Sequence, residues 1–132
     1  MIVEVDIVRF AFGHDKRLGS EAEFKQVFDK TDIKVSSRQL LILAKVNKQQ
    51  SSRLGLVVAK KTIRHAVNRN RAKRHIRESF RLCQGRVELD TLDVVVLVRK
   101  GFNELGDSEL NRLLASQWLK LSARLKVWRQ TP

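Results

Sequence analysis

The residues with the clearest chemical potential form one run, Ala66-Val-Asn-Arg-Asn-Arg-Ala-Lys-Arg-His-Ile-Arg-Glu-Ser-Phe-Arg81. Placed on a helix at about 100° per residue, this run separates into an apolar side and a basic side. The apolar side holds Ala72, Ile76, Ser79, Phe80 and Cys83. The basic side holds Asn70, Lys73, Arg74, Arg77 and Arg81. Together with Arg71 this places five cations on about 17 Å of helix, a spacing that suits the phosphates of a nucleic acid.

The signs of the charges favour the same interpretation. A solvated helix usually mixes acids and bases, because oppositely charged pairs four residues apart stabilise it. Between residues 64 and 86 the only acid is Glu78, and Arg77 has a like charge four residues away on either side. Asn70 differs in kind, because its amide both donates and accepts hydrogen bonds, as a base edge, a 2′-hydroxyl or a metal-bound water requires.

Composition sets the class of protein. The 132 residues carry 27 Lys and Arg against 14 Asp and Glu, a formal net charge of +13, which indicates an anionic partner. No run approaches the roughly 18 apolar residues of a membrane span, and the opening residues lack the pattern of a signal peptide. A single cysteine, Cys83, excludes an intramolecular disulfide and is expected in the core. We therefore expect one cytoplasmic domain over residues 1–132, monomeric as a protein.

The chain does not look catalytic by itself. Its acids are scattered rather than clustered, whereas acid–base or two-metal phosphodiester chemistry needs grouped carboxylates. His14, His65 and His75 lack the spacing of a zinc site, and His75 is expected on the solvated, RNA-facing side. There is no glycine-rich phosphate loop and no nucleophile elbow. No catalytic residue and no metal site are predicted in the protein alone.

The elements that must position the basic helix follow the order α-β-β-α-β-α, typical of a two-layer α+β sandwich. Ser20 and Glu23 form a capping box that starts a helix ending near residue 30. Strands are predicted at 39–46 and 53–59, with an extended stretch at 33–36 before them, and a buried strand at 93–98. The basic helix covers about 65–84, and an apolar stripe from residue 110 to 128 predicts a long closing helix. Residues 1–15 are harder to assign, although the first eight are compatible with a short strand.

Two further groups are candidates for contact with nucleic acid. Phe24 and Phe28 share one face of the first helix, where they either pack in the core or offer a surface on which unpaired bases stack. Lys60 and Lys61 lie between a strand and the basic helix, and we favour phosphate contact over a role in solubility alone for this pair.

The run Arg69-Asn-Arg-Ala-Lys-Arg-His-Ile-Arg-Glu-Ser-Phe-Arg81 resembles the RNR signature of the protein subunit of bacterial ribonuclease P. The resemblance extends to Arg53-Leu-Gly-Leu-Val-Val-Ala-Lys-Lys61 before the signature, and to Arg17-Leu-Gly-Ser-Glu-Ala-Glu-Phe-Lys-Gln-Val-Phe28 at the first helix. It covers about residues 9–128 in the correct order. A lone Arg-Asn-Arg would carry little weight.

The resemblance implies a left-handed βαβ crossover around the basic helix, and a division of labour. In this family the RNA subunit is the catalyst and removes the 5′ leader of precursor tRNA with Mg²⁺. The protein binds the catalytic RNA and the single-stranded leader. Mg²⁺ would therefore act through the RNA subunit, with Asn70 as a possible contact to a metal-bound water rather than a ligand.

Carried over by position, two sets of residues acquire roles. The set that would face the catalytic RNA is Arg69, Asn70, Arg71, Lys73, Arg74, Arg77 and Arg81. The set that would line or flank the leader cleft is Phe24, Phe28, Leu41, Leu43, Lys60 and Lys61. Leu43 stands where some members carry an aromatic residue, so a grip less dependent on stacking is expected. Residues 1–8 do not resemble the short basic leader of the family and are expected to be either an atypical extension or an artefact of the assigned start site.

Other interpretations remain open at this point. A structural RNA-binding protein, similar to a small ribosomal component, would share the charge and the fold type but have no role in tRNA processing. A duplex-DNA binder is less favoured, because the chain has no recognisable dimerisation element or helix-turn-helix spacing. A protein nuclease acting alone is disfavoured by the shortage of clustered acids.

Overall fold

The computed structural model describes residues 3–7, 21–47, 52–83 and 92–130, with side chains described from residue 25 onward within these ranges. Three helices are present in them: α1 (Glu21–Asp29), α2 (Ala66–Cys83) and α3 (Asp107–Gln130). The strands are β1 (Val3–Ile7), β2 (Ile33–Ser36), β3 (Leu40–Val46), β4 (Arg53–Ala59) and β5 (Leu92–Val98). A short 3-10 helix, Phe102–Glu104, precedes α3. No helix in these ranges is long and apolar enough to cross a bilayer.

The strands form one sheet in the order β1-β4-β5-β3-β2. The central pair, β4 and β5, is parallel, and α2 makes the crossover between them. Every other neighbouring pair is antiparallel. The predicted α+β class is confirmed, and the extended stretch at 33–36 is the edge strand β2. The uncertain first residues add a fifth strand, because β1 pairs with β4 along its open side.

The main core lies between one face of the sheet and the helices α2 and α3. Strand residues of even number on β3, β4 and β5 point into it, because side chains alternate across a strand. From α2 and α3 the ring of Phe80 meets the ring of Trp118 edge to face, with centroids 5.2 Å apart. The indole of Trp118 donates to Ser79 Oγ at 2.8 Å, so its polar atom is satisfied inside the core. This packing holds α2 with one fixed face outward.

On the opposite face of the sheet, the described residues provide only one covering element. Helix α1 packs there through Val27, which contacts the buried side chains of Leu43 and Val95. Leu41 and Leu97 pair across β3 and β5 beside this contact and remain partly exposed. The two predicted layers are therefore the sheet and the α2–α3 pair, and α1 adds an incomplete third layer. Within the described residues, Leu41 and Leu97 thus form a partly exposed apolar surface on the α1 face of the sheet, which we call the cleft.

Candidate nucleic-acid interface

The basic part of the exposed side of α2 is narrower than the sequence pattern predicts. Asn70, Arg74, Arg77 and Arg81 are all exposed. At about 100° per residue these four positions fall within roughly 60° of arc, a single ridge along the helix. The buried side carries Ala72, Ile76, Phe80 and Cys83, as predicted. The three arginines of this exposed ridge can each contact a phosphate of the same bound backbone.

Two cations assigned to the RNA-facing set lie on the buried side instead. Arg69 and Lys73 are 7% and 6% exposed. The guanidinium of Arg69 donates from one nitrogen to the carbonyls of Ile63 and Arg64, at 3.1 and 2.8 Å. Both carbonyls belong to the turn between β4 and α2, the segment that begins with Lys60 and Lys61. Arg69 therefore holds this turn in place from the buried side of α2, through hydrogen bonds to two backbone carbonyls.

Arg71 lies on a third side of α2, toward the start of α3. Its guanidinium donates to the Leu105 carbonyl at 2.9 Å and to the Asp107 carboxylate at 2.7 Å. The same carboxylate oxygen lies 3.0 Å from His75 Nε2, so His75 faces α3 rather than the basic ridge where it was expected. The hydrogen bond from Arg71, with a smaller effect of His75, holds the pKa of the Asp107 carboxyl below its ordinary value. This cluster links α2 to the start of α3.

Of the residues predicted to form the leader cleft, Leu41 and Leu43 lie on the face of the sheet against which α1 packs. Leu41 is half-buried and Leu43 is 9% exposed, so both form the floor of the cleft. Phe28, on α1, is 41% exposed. Lys60 and Lys61 are exposed in the turn that directly follows β4. The side chain of Phe24 and the capping residue Ser20 lie outside the described residues.

One polar cluster on the cleft face was not predicted. Asp93 is only 6% exposed, and Arg53 binds it with two hydrogen bonds, Nε to Oδ1 at 2.8 Å and a terminal nitrogen to Oδ2 at 2.7 Å. Asn47 Nδ2 also donates to Asp93 Oδ1 at 2.7 Å. The cluster ties β3, β4 and β5 together at one end of the cleft. A sequence signal existed, since Asp93 is the one charged residue in the apolar strand β5.

The positions of Arg69 and Arg74 make a testable contrast. We expect Arg69→Ala to lower the free energy of unfolding by about 1–3 kcal/mol, because it leaves two carbonyls of the turn without their donor. Arg74→Ala should leave stability unchanged, because that side chain is exposed. Urea denaturation of both variants measures this difference. Equal stability of the two proteins would show that the Arg69 contacts do not hold the turn.

Comparison with known proteins places this geometry in one family. The profile of the ribonuclease P family matches residues 12–122. A ribonuclease P protein component from Stutzerimonas stutzeri (strain A1501) is 46% identical over 111 residues, which cover 84% of this chain and 83% of that protein.

Solved structures agree with the sequence match. The ribonuclease P protein of Staphylococcus aureus superposes with a TM-score of 0.71 at 27% identity, covering 80% of this chain and 95% of that one. The protein from Thermotoga maritima gives a TM-score of 0.66 at 28% identity, with 74% and 89% covered. The matched segment contains the basic ridge, the turn after β4 and the floor of the cleft, and this chain belongs to the ribonuclease P protein family.

Proposed function

We propose that the protein is the RNA-binding cofactor of a bacterial ribonuclease P, which removes the 5′ leader from precursor tRNA in the cytoplasm. One observation carries the proposal: the exposed side of α2 presents Arg74, Arg77 and Arg81 on one ridge, and Glu78 beside them is the one acid of this helix. Arginine binds phosphate oxygens with a planar, two-pronged donor set, so a ridge of three suits a structured RNA backbone. The partner of this ridge is the catalytic RNA subunit.

The chemistry itself is assigned to the RNA. In the described part of the chain, no three His, Cys, Asp or Glu side chains come together as a group that could hold a metal ion. We assign the Mg²⁺ of the reaction to the RNA subunit. Asn70 is exposed on the ridge and can donate or accept a hydrogen bond at a phosphate or a metal-bound water. The protein contributes binding and positioning.

The open cleft supports a second role, binding of the single-stranded leader. Phe28 offers part of its ring on α1, which packs on the face of the sheet that carries Leu41 and Leu43, and an unpaired base can stack on such a ring in any sequence. Lys60 and Lys61 supply positive charge at the end of β4, where the phosphates of a strand in the cleft would emerge. Leu43 cannot stack as an aromatic residue does, so the grip depends more on Phe28 and on charge.

The proposal is tested by 5′ cleavage of a precursor tRNA at low, near-physiological magnesium, with catalytic RNA, with this protein, and with both. We expect strong stimulation only when both are present, and no cleavage by the protein alone. Salt-sensitive binding to RNA without stimulation would overturn the proposal and indicate a structural RNA-binding protein. Cleavage by the protein alone would overturn the assignment of the chemistry to the RNA.

A substitution at Phe28 tests the cleft. We expect Phe28→Ala to weaken binding of precursor tRNA to the holoenzyme by about 1–3 kcal/mol, the usual effect of losing one stacking platform, and to leave binding of mature tRNA unchanged. Because Phe28 is 41% exposed, we expect its replacement by alanine to leave the fold intact. Leu119→Ala, an exposed apolar residue on α3, is the matched control. An equal loss for both tRNAs would remove Phe28 from the leader site.

A further inference from the structure

A second groove lies at the edge of the sheet, away from the ridge of α2. It runs between β2 and the last two turns of α3 and has a volume of about 610 Å³. Its lining consists of Asp32, Ile33, Lys34, Arg124, Val127, Trp128 and Arg129. The groove thus combines an aromatic side chain with three cations and one acid.

The exposed indole is the unusual feature of this groove. The chain has two tryptophans, and Trp118 is 1% exposed in the core, whereas Trp128 is 40% exposed. Exposed aromatic rings beside cations are the platforms on which single-stranded nucleic acids stack. The exposed ring of Trp128 is therefore suited to stack on the bases of a single-stranded nucleic acid, the kind of ligand that this protein is proposed to bind.

The charges of the groove select an anion. Arg124 donates a hydrogen bond to the Lys34 carbonyl, which holds the end of α3 against the edge strand. The one acid, Asp32, accepts a hydrogen bond from the Val46 backbone N–H at 2.9 Å. Three cations thus outnumber one carboxylate that is already engaged, and the net positive field favours a phosphate backbone.

Position in the chain and in the fold separates this groove from the site described above. The family profile ends at residue 122, so Arg124, Trp128 and Arg129 lie beyond the matched segment. The groove nonetheless borders the cleft at the edge of the sheet. Lys34 lies directly across from Leu43, so its side chain is on the cleft face, whereas Arg124 and Trp128 lie on the α3 side of the same edge. A strand that crosses the cleft floor toward β2 reaches Lys34 next.

We propose that this edge groove binds the part of the 5′ leader that extends past the cleft, with one base stacked on Trp128 and its phosphates held by Lys34 and Arg124. This inference rests on the proposed leader-binding function. It adds a second segment to the leader path, and it predicts that affinity rises with leader length beyond what the cleft alone accommodates.

Tryptophan fluorescence of the protein alone tests the groove without the catalytic RNA. A single-stranded adenylate oligonucleotide is expected to quench the emission in a saturable, salt-sensitive manner, because Trp128 stacks while Trp118 stays buried. Trp128→Leu should abolish the quenching. Lys34→Gln should weaken it several-fold, whereas Lys126→Gln, which removes an equal charge on α3 outside the groove, should not. Absence of quenching, or quenching that survives in Trp128→Leu, would overturn the proposal.

Leader length distinguishes the source of the bound strand. With the holoenzyme, precursor tRNAs with leaders of about 4 and about 12 nucleotides are compared, lengths within the usual range of single-strand sites. Trp128→Leu is expected to weaken binding of the long-leader substrate about tenfold, the effect of one lost stack, and to leave the short-leader substrate unchanged. Equal losses for both substrates would assign the groove to the catalytic RNA and overturn the leader assignment. If the cofactor proposal itself failed, cleavage would not be stimulated by the wild-type protein, whereas quenching by the oligonucleotide would remain.

Discussion

Replacing Arg74, Arg77 and Arg81 together by glutamine is expected to lower the affinity for the catalytic RNA on the order of 100-fold near physiological salt. Each of these side chains is exposed on the same ridge of α2, so each loss removes a phosphate contact rather than a core interaction. The dependence of log affinity on log salt should become shallower by about 2–3, because each neutralised phosphate contributes about 0.7–0.9 to that slope. Filter binding over a range of salt concentrations measures both quantities.

A charge-matched variant separates position from net charge. Arg112, Lys120 and Lys126 are exposed on α3 and line none of the surfaces proposed to contact RNA. Their joint replacement by glutamine lowers the formal net charge by the same three units from +13. We expect this control to reduce the association rate slightly and the slope by much less than the ridge variant. Equal effects of the two triple variants would mean that the ridge is not the RNA interface.

The fold was predictable to the extent that hydrophobic patterns are local. The apolar run in β5 and the apolar stripe of α3 specify their elements without help from the rest of the chain. Strand β1 was not assigned with the same clarity, because Glu4 and Asp6 interrupt its apolar pattern. Its pairing with β4 depends on an edge that exists only once the sheet has formed. The partial third layer likewise depends on which face of the sheet receives α1.

Helical periodicity predicts only part of the basic face of α2. The periodicity separates Ile76 and Phe80 from Arg74 and Arg81 correctly, because these residues lie far apart around the helix. Arg69 lies on the same side as Phe80, yet a charged residue is normally assigned to solvent. Its burial requires two carbonyl acceptors in a turn whose conformation the sequence does not specify. The role of Arg69 in RNA binding stays a prediction, and its contacts favour an indirect one.

The Arg53–Asp93 pair was not predicted from the sequence, for a different reason. These residues are 40 positions apart in the chain, and they meet only because β4 and β5 are parallel neighbours in register. Register places Arg53 directly beside Asp93 on one face of the sheet. A sequence pattern can mark Asp93 as unusual within an apolar strand, but only the strand order identifies its partner.

Removing one partner of that pair is expected to have a large effect on stability. Asp93→Ala should lower the free energy of unfolding by about 3–5 kcal/mol, because it leaves the guanidinium of Arg53 buried without the carboxylate that neutralises it. The two side chains are 12% and 9% exposed, so solvent can compensate little of this loss. Asn47 also loses its acceptor. Urea denaturation followed by far-ultraviolet circular dichroism measures the change.

The double variant Arg53→Met, Asp93→Leu tests whether an unpaired buried charge causes the loss of stability in Asp93→Ala. Replacing a buried ion pair by apolar residues of similar volume is often close to neutral, so the double variant should recover most of the stability lost in Asp93→Ala. If the double variant is as unstable as the single one, packing at this end of β5 rather than an unpaired charge explains the loss. If Asp93→Ala alone is within about 1 kcal/mol of wild type, the pair is a surface interaction in solution and does not tie the strands together. The cluster lies at one end of the cleft, so the double variant also tests whether Arg53 contributes directly to RNA binding. A loss of leader affinity in a double variant that still folds would show that it does.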